Sequence, residues 1–322
     1  MKDAHNRVLD YLRISLTDRC NLRCSYCMPR CGVDNIPHDE ILTFEEICRI
    51  SRVMADLGVT KIRLTGGEPL VRKGFTDLVR ALGEIPSLKE ITLTTNGVLL
   101  AQNVKCLEEY GVKRVNISLD TLDRQVFSRL TGSDDLDKVL DAIDTAYGCG
   151  MGIRINCVPV AGINDTELSA IAAIAKDRQI DVRFIELMPI GCGRAMRGIP
   201  SDSVLHTLEQ RFGKAQECGR TDISSPAVYY QFSGFKGKIG LISPMTHKFC
   251  QYCNRLRLPA DGYLKLCLQY PAGADLKTPL RQGISDKTLA DIITDTIQKK
   301  PLAHSFAQQC EGDERKMVQI GG

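Results

Sequence analysis

Tryptophan is absent from the 322-residue chain and aromatic residues make up only 6% of it; the missing tryptophan constrains no function. No window approaches the ~18 consecutive apolar residues of a helical membrane span. The opening run MKDAHNRVLDYLRIS also lacks the uninterrupted apolar stretch of a signal peptide, so a cytoplasmic protein without a membrane partner is expected. A large excess of charge of either sign is missing too. The formal net charge is +3, which demands no nucleic acid or membrane surface, so any bound anion must be held by local arginines. Hydrophobic and charged contents of 43% and 25% are those of an ordinary globular protein, and its length has room for one large α/β domain and an appendage or for two ordinary domains.

What is present in quantity is cysteine. Fourteen cysteines in a chain without an export signal are expected as thiols, and clustered thiols point to metal before disulfide. They fall into two groups embedded in different surroundings.

The first two-thirds of the chain alternates short β-like runs with helical stretches. The pattern predicts strands over Tyr11–Ser15, Lys61–Thr65, Ile91–Thr95, Arg114–Asp120, Gly152–Val158 and Asp181–Glu186. The first helix opens on Thr43 and Glu46, spaced as a capping box, and stops at Gly58. Six βα units in series predict parallel strands, either as an open barrel or as a doubly wound layer. Side chains alternate faces along a strand. One face of nearly every strand is apolar, while the other carries Arg13, Arg63, Arg154 and Arg183 with Asn116, Ser118 and Asn156. A closed eight-stranded barrel fills its interior with branched apolar residues, so these polar faces favour an open barrel around a wet chamber. Beyond Met188 a loop and a helix over 201–212 are predicted, followed by short Gly- and Pro-containing segments.

The first cysteine group, Cys20-Asn-Leu-Arg-Cys24-Ser-Tyr-Cys27, lies just after the first strand. Three clustered thiolates are soft ligands suited to an iron–sulfur cluster and leave one iron of a four-iron cluster open. A structural zinc site would want four protein ligands. Two features accompany it. Thr65-Gly-Gly-Glu-Pro69 follows the second strand, with glycines permitting close backbone approach and Glu68 able to accept from an ammonium group. Ser118 and Asp120 end the fourth strand, placed for ribose hydroxyls. Together the three features resemble the radical S-adenosylmethionine (SAM) superfamily over about the first 190 residues. That resemblance implies a [4Fe–4S] cluster on Cys20, Cys24 and Cys27 whose open iron binds SAM.

The second group, Cys250-Gln-Tyr-Cys253 with Cys267 thirteen residues further on, reads equally as a zinc site completed by His247 or as a second iron–sulfur cluster. Arg255 and Arg257 lie between the ligands, on one face if the segment is extended. The ordered motifs DYLRISLTDRCNLRCSYCMP, TGGEPL, LTTNG, NISLD, RFIELMP, FCQYCNRLRL and a terminal Gly-Gly resemble, across the whole chain, the molybdenum-cofactor biosynthesis protein A family of GTP 3′,8-cyclases.

The family's fold is an incomplete (βα)6 barrel, here over residues 1–200, with a C-terminal domain, residues 201–322, holding a second [4Fe–4S] cluster on Cys250, Cys253 and Cys267. The resemblance implies that Arg13, Arg63, Thr94, Arg154, Arg255, Leu256 and Arg257 bind GTP and that Tyr26, Gly67, Ser118 and Met188 contact SAM. It places Arg183 on the substrate side and brings the Gly321-Gly322 tail into the active site. The implied reaction starts with abstraction of hydrogen from C3′ of GTP, and C3′ then bonds to C8. An external one-electron donor, a downstream cyclic pyranopterin monophosphate synthase and a monomeric or homodimeric state are implied as well. The chain has no GxxxxGK[ST] loop, so something else must hold the triphosphate, and arginine forks are well suited to it. Arg154 stands where the family usually has Lys, and Cys31 is a cysteine the family pattern does not call for; Pro29 should direct it away from the cluster. The rival readings are a radical SAM peptide maturase and a plain iron–sulfur electron carrier.

Overall fold

Strand β1 (Tyr11–Ser15) alternates Leu12 and Ile14, both fully buried, with Tyr11 and Arg13 on its other face, and this pattern repeats around the sheet. Strands β2 (Lys61–Thr65), β3 (Glu90–Thr95), β4 (Arg114–Ser118), β5 (Gly152–Cys157) and β6 (Asp181–Ile185) follow, each parallel to the one before. Helices α1 (Phe44–Asp56), α2 (Phe75–Gly83), α3 (Val104–Glu109), α4 (Arg124–Thr131), α5 (Leu136–Gly148) and α6 (Leu168–Asp177) supply the crossovers. The computed structural model describes residues 1–306, 313 and 315–321. Among the described residues no helix is long and apolar enough to cross a membrane.

The capping box on α1 is formed: the Thr43 hydroxyl accepts from the Glu46 N–H, and Glu46 accepts from the Thr43 N–H at 2.7 Å. Helix α1 ends before Gly58, whose φ of +102° suits only glycine. Ile47, Ile50, Val53 and Met54 on this helix join Leu12, Ile14, Ile62 and Leu64 in one continuous core between helices and sheet.

The fourth, fifth and sixth strands stop at Ser118, Cys157 and Ile185, so Asp120, Val158 and Glu186 lie in the loops beyond them. The larger difference is at the C-terminal end. After helix α7 (Ser201–Phe212) come strands β7 (Gln216–Gly219), β8 (Ala227–Gln231), β9 (Ile239–Ile242), β10 (Arg255–Leu258), β11 (Tyr263–Lys265) and β12 (Gly273–Asp275). They extend the same sheet at both ends, in the order β12-β11-β10-β1-β2-β3-β4-β5-β6-β9-β8-β7. Strand β10 pairs in parallel with β1 and β9 with β6. The sheet is open, with β12 and β7 as its edges, and its inner face lines one cavity. Helices α8 (Lys277–Arg281), α9 (Asp286–Ile297) and α10 (Met317–Ile320) follow among the described residues, and α9 buries Leu289 and Ile293.

Candidate active site

The cavity inside the curved sheet has a volume of about 660 Å3. Among the described residues ten Arg and Lys side chains line it against four carboxylates, a balance suited to a polyanion. The parallel register sets Arg257, Arg13, Arg63 and Thr92 side by side on β10, β1, β2 and β3. Burial holds the Arg13 guanidinium well below its ordinary value, and Arg257, Arg63 and Arg255 push it further down. Arg63 donates from Nε to the Thr92 hydroxyl at 3.2 Å and lies over the Tyr11 ring, 5.5 Å from its centre. Arg154 pairs with Asp181 at 3.4 Å and lies 5.8 Å from the Tyr229 ring centre.

Arg183 is 4% exposed and donates to amide oxygens, Asn156 Oδ1 at 2.6 and 3.0 Å and Asn116 Oδ1 at 2.5 Å. Burial, aided by Arg63 and Arg154, brings this guanidinium down to about 9. Amide oxygens satisfy its geometry without neutralising its charge, which leaves it suited to an anion. Thr94 lines the same wall, and its buried hydroxyl has no hydrogen-bond partner among the described residues.

Cys20, Cys24 and Cys27 lie beyond the C-terminal end of β1 and line one end of the cavity with Tyr26, Gly67, Ser118 and Met188. The loop carrying them is pinned by the second motif. Gly67 N–H donates to Thr17 O at 2.6 Å and Glu68 N–H to Arg19 O at 2.8 Å. A Cβ on Gly67 would lie 2.6 Å from the Arg19 carbonyl carbon, and one on Gly66 2.8 Å from Thr17 O. The paired glycines therefore serve a close backbone-to-backbone approach.

Glu68 differs from the expectation that it would accept from an ammonium group. It is fully buried and absent from the cavity wall, and its carboxylate accepts from Leu70 N–H, the Thr95 hydroxyl and Asn96 N–H. Burial pushes it up to about 7, against those three donors. Asp120 is likewise engaged by protein, accepting from the Tyr26 hydroxyl at 2.6 Å and Val158 N–H at 2.8 Å.

Burial raises the thiols of Cys20 to about 11 and Cys27 to about 12, and that of Cys24 upward as well; mutual repulsion adds to the effect on Cys24 and Cys27. Three half-buried thiols on the cavity wall, with no fourth cysteine beside them on that wall among the described residues although Cys192 is within electrostatic reach of Cys27, fit three irons of a four-iron cluster. Among the described residues no three His, Cys, Asp or Glu side chains are grouped tightly enough for a single ion. A cubane takes its thiolates on different irons, so its ligands stand farther apart than those of one ion. Cys31 is exposed, faces Gly32 O and does not line the cavity.

The second group sits at the opposite end. Cys253 precedes β10, which runs parallel to β1, and Cys267 follows β11, which runs back antiparallel. Both therefore lie by the N-terminal ends of the strands, with Cys250 beside them on the wall. Burial pushes the Cys253 thiol up, but Arg255 and Lys300 outweigh it and bring it down to about 6. Lys300, 3% exposed, donates to Arg255 O at 2.9 Å and to Leu266 O. His247 is elsewhere, exposed and against Asp202 at 3.0 Å.

The C-terminal tail meets the chamber wall, which Met317 helps to line. Arg257 Nη1 donates to Gly321 O at 2.6 Å, and a Cβ on Gly321, whose φ is +77°, would lie 3.1 Å from Ser15 Cβ. Gly322 lies outside the described residues. The tail is held from behind by Asp313, which accepts from Arg315 at 2.8 Å and pairs with fully buried Lys265; Arg315 also reaches Asp261 at 3.1 Å. Leu256 does not face the chamber: it is fully buried in the core, on the opposite side of β10 from Arg255 and Arg257, so only its main chain is available to a ligand.

Residues 14–175 match the radical SAM superfamily and residues 180–306 the Molybdenum Cofactor Synthesis C family. The GTP 3′,8-cyclase of Clostridium perfringens strain 13 is 45% identical over 324 residues, covering 100% of both chains. That of Peptoclostridium acidaminophilum is 47% identical over 325 residues, covering 99% of this chain and 98% of that protein. This chain belongs to the GTP 3′,8-cyclase family of radical SAM enzymes. As a member it is an enzyme that uses a [4Fe–4S] cluster and SAM.

The family's α/β fold is shared by Streptococcus suis SuiB bound to S-adenosylmethionine, with TM-score 0.59, 17% identity, and coverage of 98% of this chain and 73% of that one. It is shared also by anSMEcpe with bound AdoMet and a Kp18Cys peptide, with TM-score 0.54, 17% identity, and coverage of 92% and 82%. Family membership and the fold agree on the open α/β barrel.

The inner-face arginines were visible in the sequence because they interrupt apolar alternation. Tyr11 shares their face and carries the same signal, whereas Lys300 and Asp313, which reach the site from distant segments, carry none.

Proposed function

We propose that the chain converts GTP to (8S)-3′,8-cyclo-7,8-dihydro-GTP, the first step toward the molybdenum cofactor. The observation that carries this reading is two cysteine trios at opposite ends of one chamber, with arginines between them and no P-loop in the chain. A nucleotide can span that distance with its phosphates among the guanidinium forks and its base toward the second trio.

In this reading Cys20, Cys24 and Cys27 hold the SAM-binding cluster, framed by Tyr26, Gly67, Ser118 and Met188. Cys250, Cys253 and Cys267 hold a second [4Fe–4S] cluster beside the base. Arg13, Arg63, Thr94, Arg154, Arg255 and Arg257, with the main chain of Leu256, hold GTP. With a cluster and SAM bound there, this end of the chamber would supply the radical chemistry needed at C3′ of the nucleotide. Arg183 and Gly321, with Gly322, close the reacting region, fix the ribose against C8 and keep water out. Arg154 keeps the positive charge of the family's usual Lys, braced by Asp181 and Tyr229. The division at residue 200 then separates SAM chemistry from base recognition. A one-electron donor, delivery of product to a cyclic pyranopterin monophosphate synthase, a cytoplasmic location and a monomer or homodimer complete the proposal.

Two cysteine trios predict about eight irons per chain after anaerobic reconstitution. Cys250→Ser should keep about half of that iron and retain reductive SAM cleavage while losing GTP cyclisation. Stoichiometric zinc at the second trio of active enzyme would refute the second-cluster assignment.

A further inference from the structure

Tyr11 opens β1 and faces the chamber with Arg13, in register with Arg255 on one side and Lys61 on the other. Its hydroxyl is buried, yet it has no hydrogen-bond partner among the described residues. A buried polar group without a partner carries its full desolvation penalty and calls for an explanation. Thr94, which the family resemblance already ties to GTP, shows the same condition on the same wall.

The surroundings of Tyr11 define what is missing. Arg63 lies over its ring at 5.5 Å, and Arg13, Arg183 and Arg257 are within electrostatic reach. Guanidinium groups donate and never accept. The phenol oxygen has donors around it, whereas its proton faces no acceptor on these side chains. An anion seated among those guanidiniums would supply that acceptor. We infer that Tyr11 is a substrate-contact residue whose phenol O–H donates to a phosphate oxygen of the bound nucleotide. This rests on the GTP reading above, and it adds to the arginine forks a neutral donor that fixes the phosphate chain's orientation.

The test compares anaerobically reconstituted wild-type protein with Tyr11→Phe, which removes one oxygen atom. Equilibrium dialysis with GTP, competition by inorganic tripolyphosphate, iron content and the melting temperature of the nucleotide-free protein are measured. Removing a donor to a charged group should weaken GTP and tripolyphosphate together by about tenfold or more. Iron content should be unchanged, and the melting temperature equal or higher, because an unsatisfied buried hydroxyl is gone. Equal GTP affinity in the two proteins would overturn the inference, leaving the hydroxyl as the holder of a water molecule. Weakened GTP with unaltered tripolyphosphate would move the contact to base or ribose and overturn it as well. A lowered melting temperature with unaltered affinity would make the hydroxyl a fold element. Wild-type protein that binds no GTP would refute the substrate reading itself, and this inference with it.

Discussion

Gly67→Ala tests how the TGGEP turn builds the first cluster site. The added methyl would land on the carbonyl oxygen of Arg19 and within 2.6 Å of its carbon and 2.9 Å of Asp18 O. Backbone cannot rotate aside as a side chain can, so the loop from Thr17 to Arg19 must move. That movement stretches the Gly67-to-Thr17 and Glu68-to-Arg19 hydrogen bonds, now 2.6 and 2.8 Å. Overpacking costs about 1–3 kcal/mol and each weakened bond about 1 kcal/mol, giving a loss of roughly 3 kcal/mol. For a chain of this size that is a fall of about 4 °C in melting temperature. Because Cys20 follows directly on the displaced loop, reconstituted Gly67→Ala should hold only the second trio's iron, about four atoms per chain. Gly148→Ala is the control: it ends α5 and its Cβ would meet nothing within 4 Å, so stability should be unchanged or raised and iron complete. Differential scanning calorimetry and iron analysis read both effects. Wild-type stability with full iron in Gly67→Ala would refute the close-approach account.

Three further outcomes follow from named contacts. Glu68 is raised in the fold from 4.5 to about 7, so its contribution is fully present below about pH 4.5 and lost as pH rises through 7; the stability of wild type relative to Glu68→Gln should fall by up to about 3 kcal/mol across that window, and a flat difference in denaturant titrations would contradict the assigned shift. Asp313→Asn leaves Lys265 buried without its anion at a cost of about 3–5 kcal/mol, so the tail should become sensitive to carboxypeptidase and cyclisation should fall with iron intact, while the double variant Lys265→Met/Asp313→Leu restores protection; unaltered protection in Asp313→Asn would show that the network does not anchor the tail. Cys31→Ser should keep full iron and normal turnover, since the thiol is exposed and off the cavity wall, and a large loss of either would assign it a role that its placement does not predict.

The six parallel strands were legible to within two residues because each is covered by helices on one face and lines a wet chamber on the other, which enforces strict alternation. Their sequence also exposed the inner arginines, since a charge between buried Leu12 and Ile14 has only the chamber to face. Five of the six C-terminal strands run to only three or four residues, too short for a period to declare itself. Glu68 was misjudged for a different reason. Its type suggested a charge for a ligand, but three donors from the β3 loop and its own turn already satisfy it, and such partners are fixed by tertiary placement. Leu256 stands between Arg255 and Arg257, and the alternation of the strand sends its side chain into the core, which leaves its main chain for a ligand.

Isotope transfer from the substrate tests the central claim most directly. Reconstituted protein supplied with GTP deuterated at C3′, SAM and a chemical reductant should release 5′-deoxyadenosine carrying one deuterium for each GTP consumed. The nucleotide product should carry a new bond between C3′ and C8. Cleavage of SAM with GTP recovered unchanged, or 5′-deoxyadenosine free of deuterium beside a consumed nucleotide, would contradict the assignment of this chamber to GTP 3′,8-cyclisation.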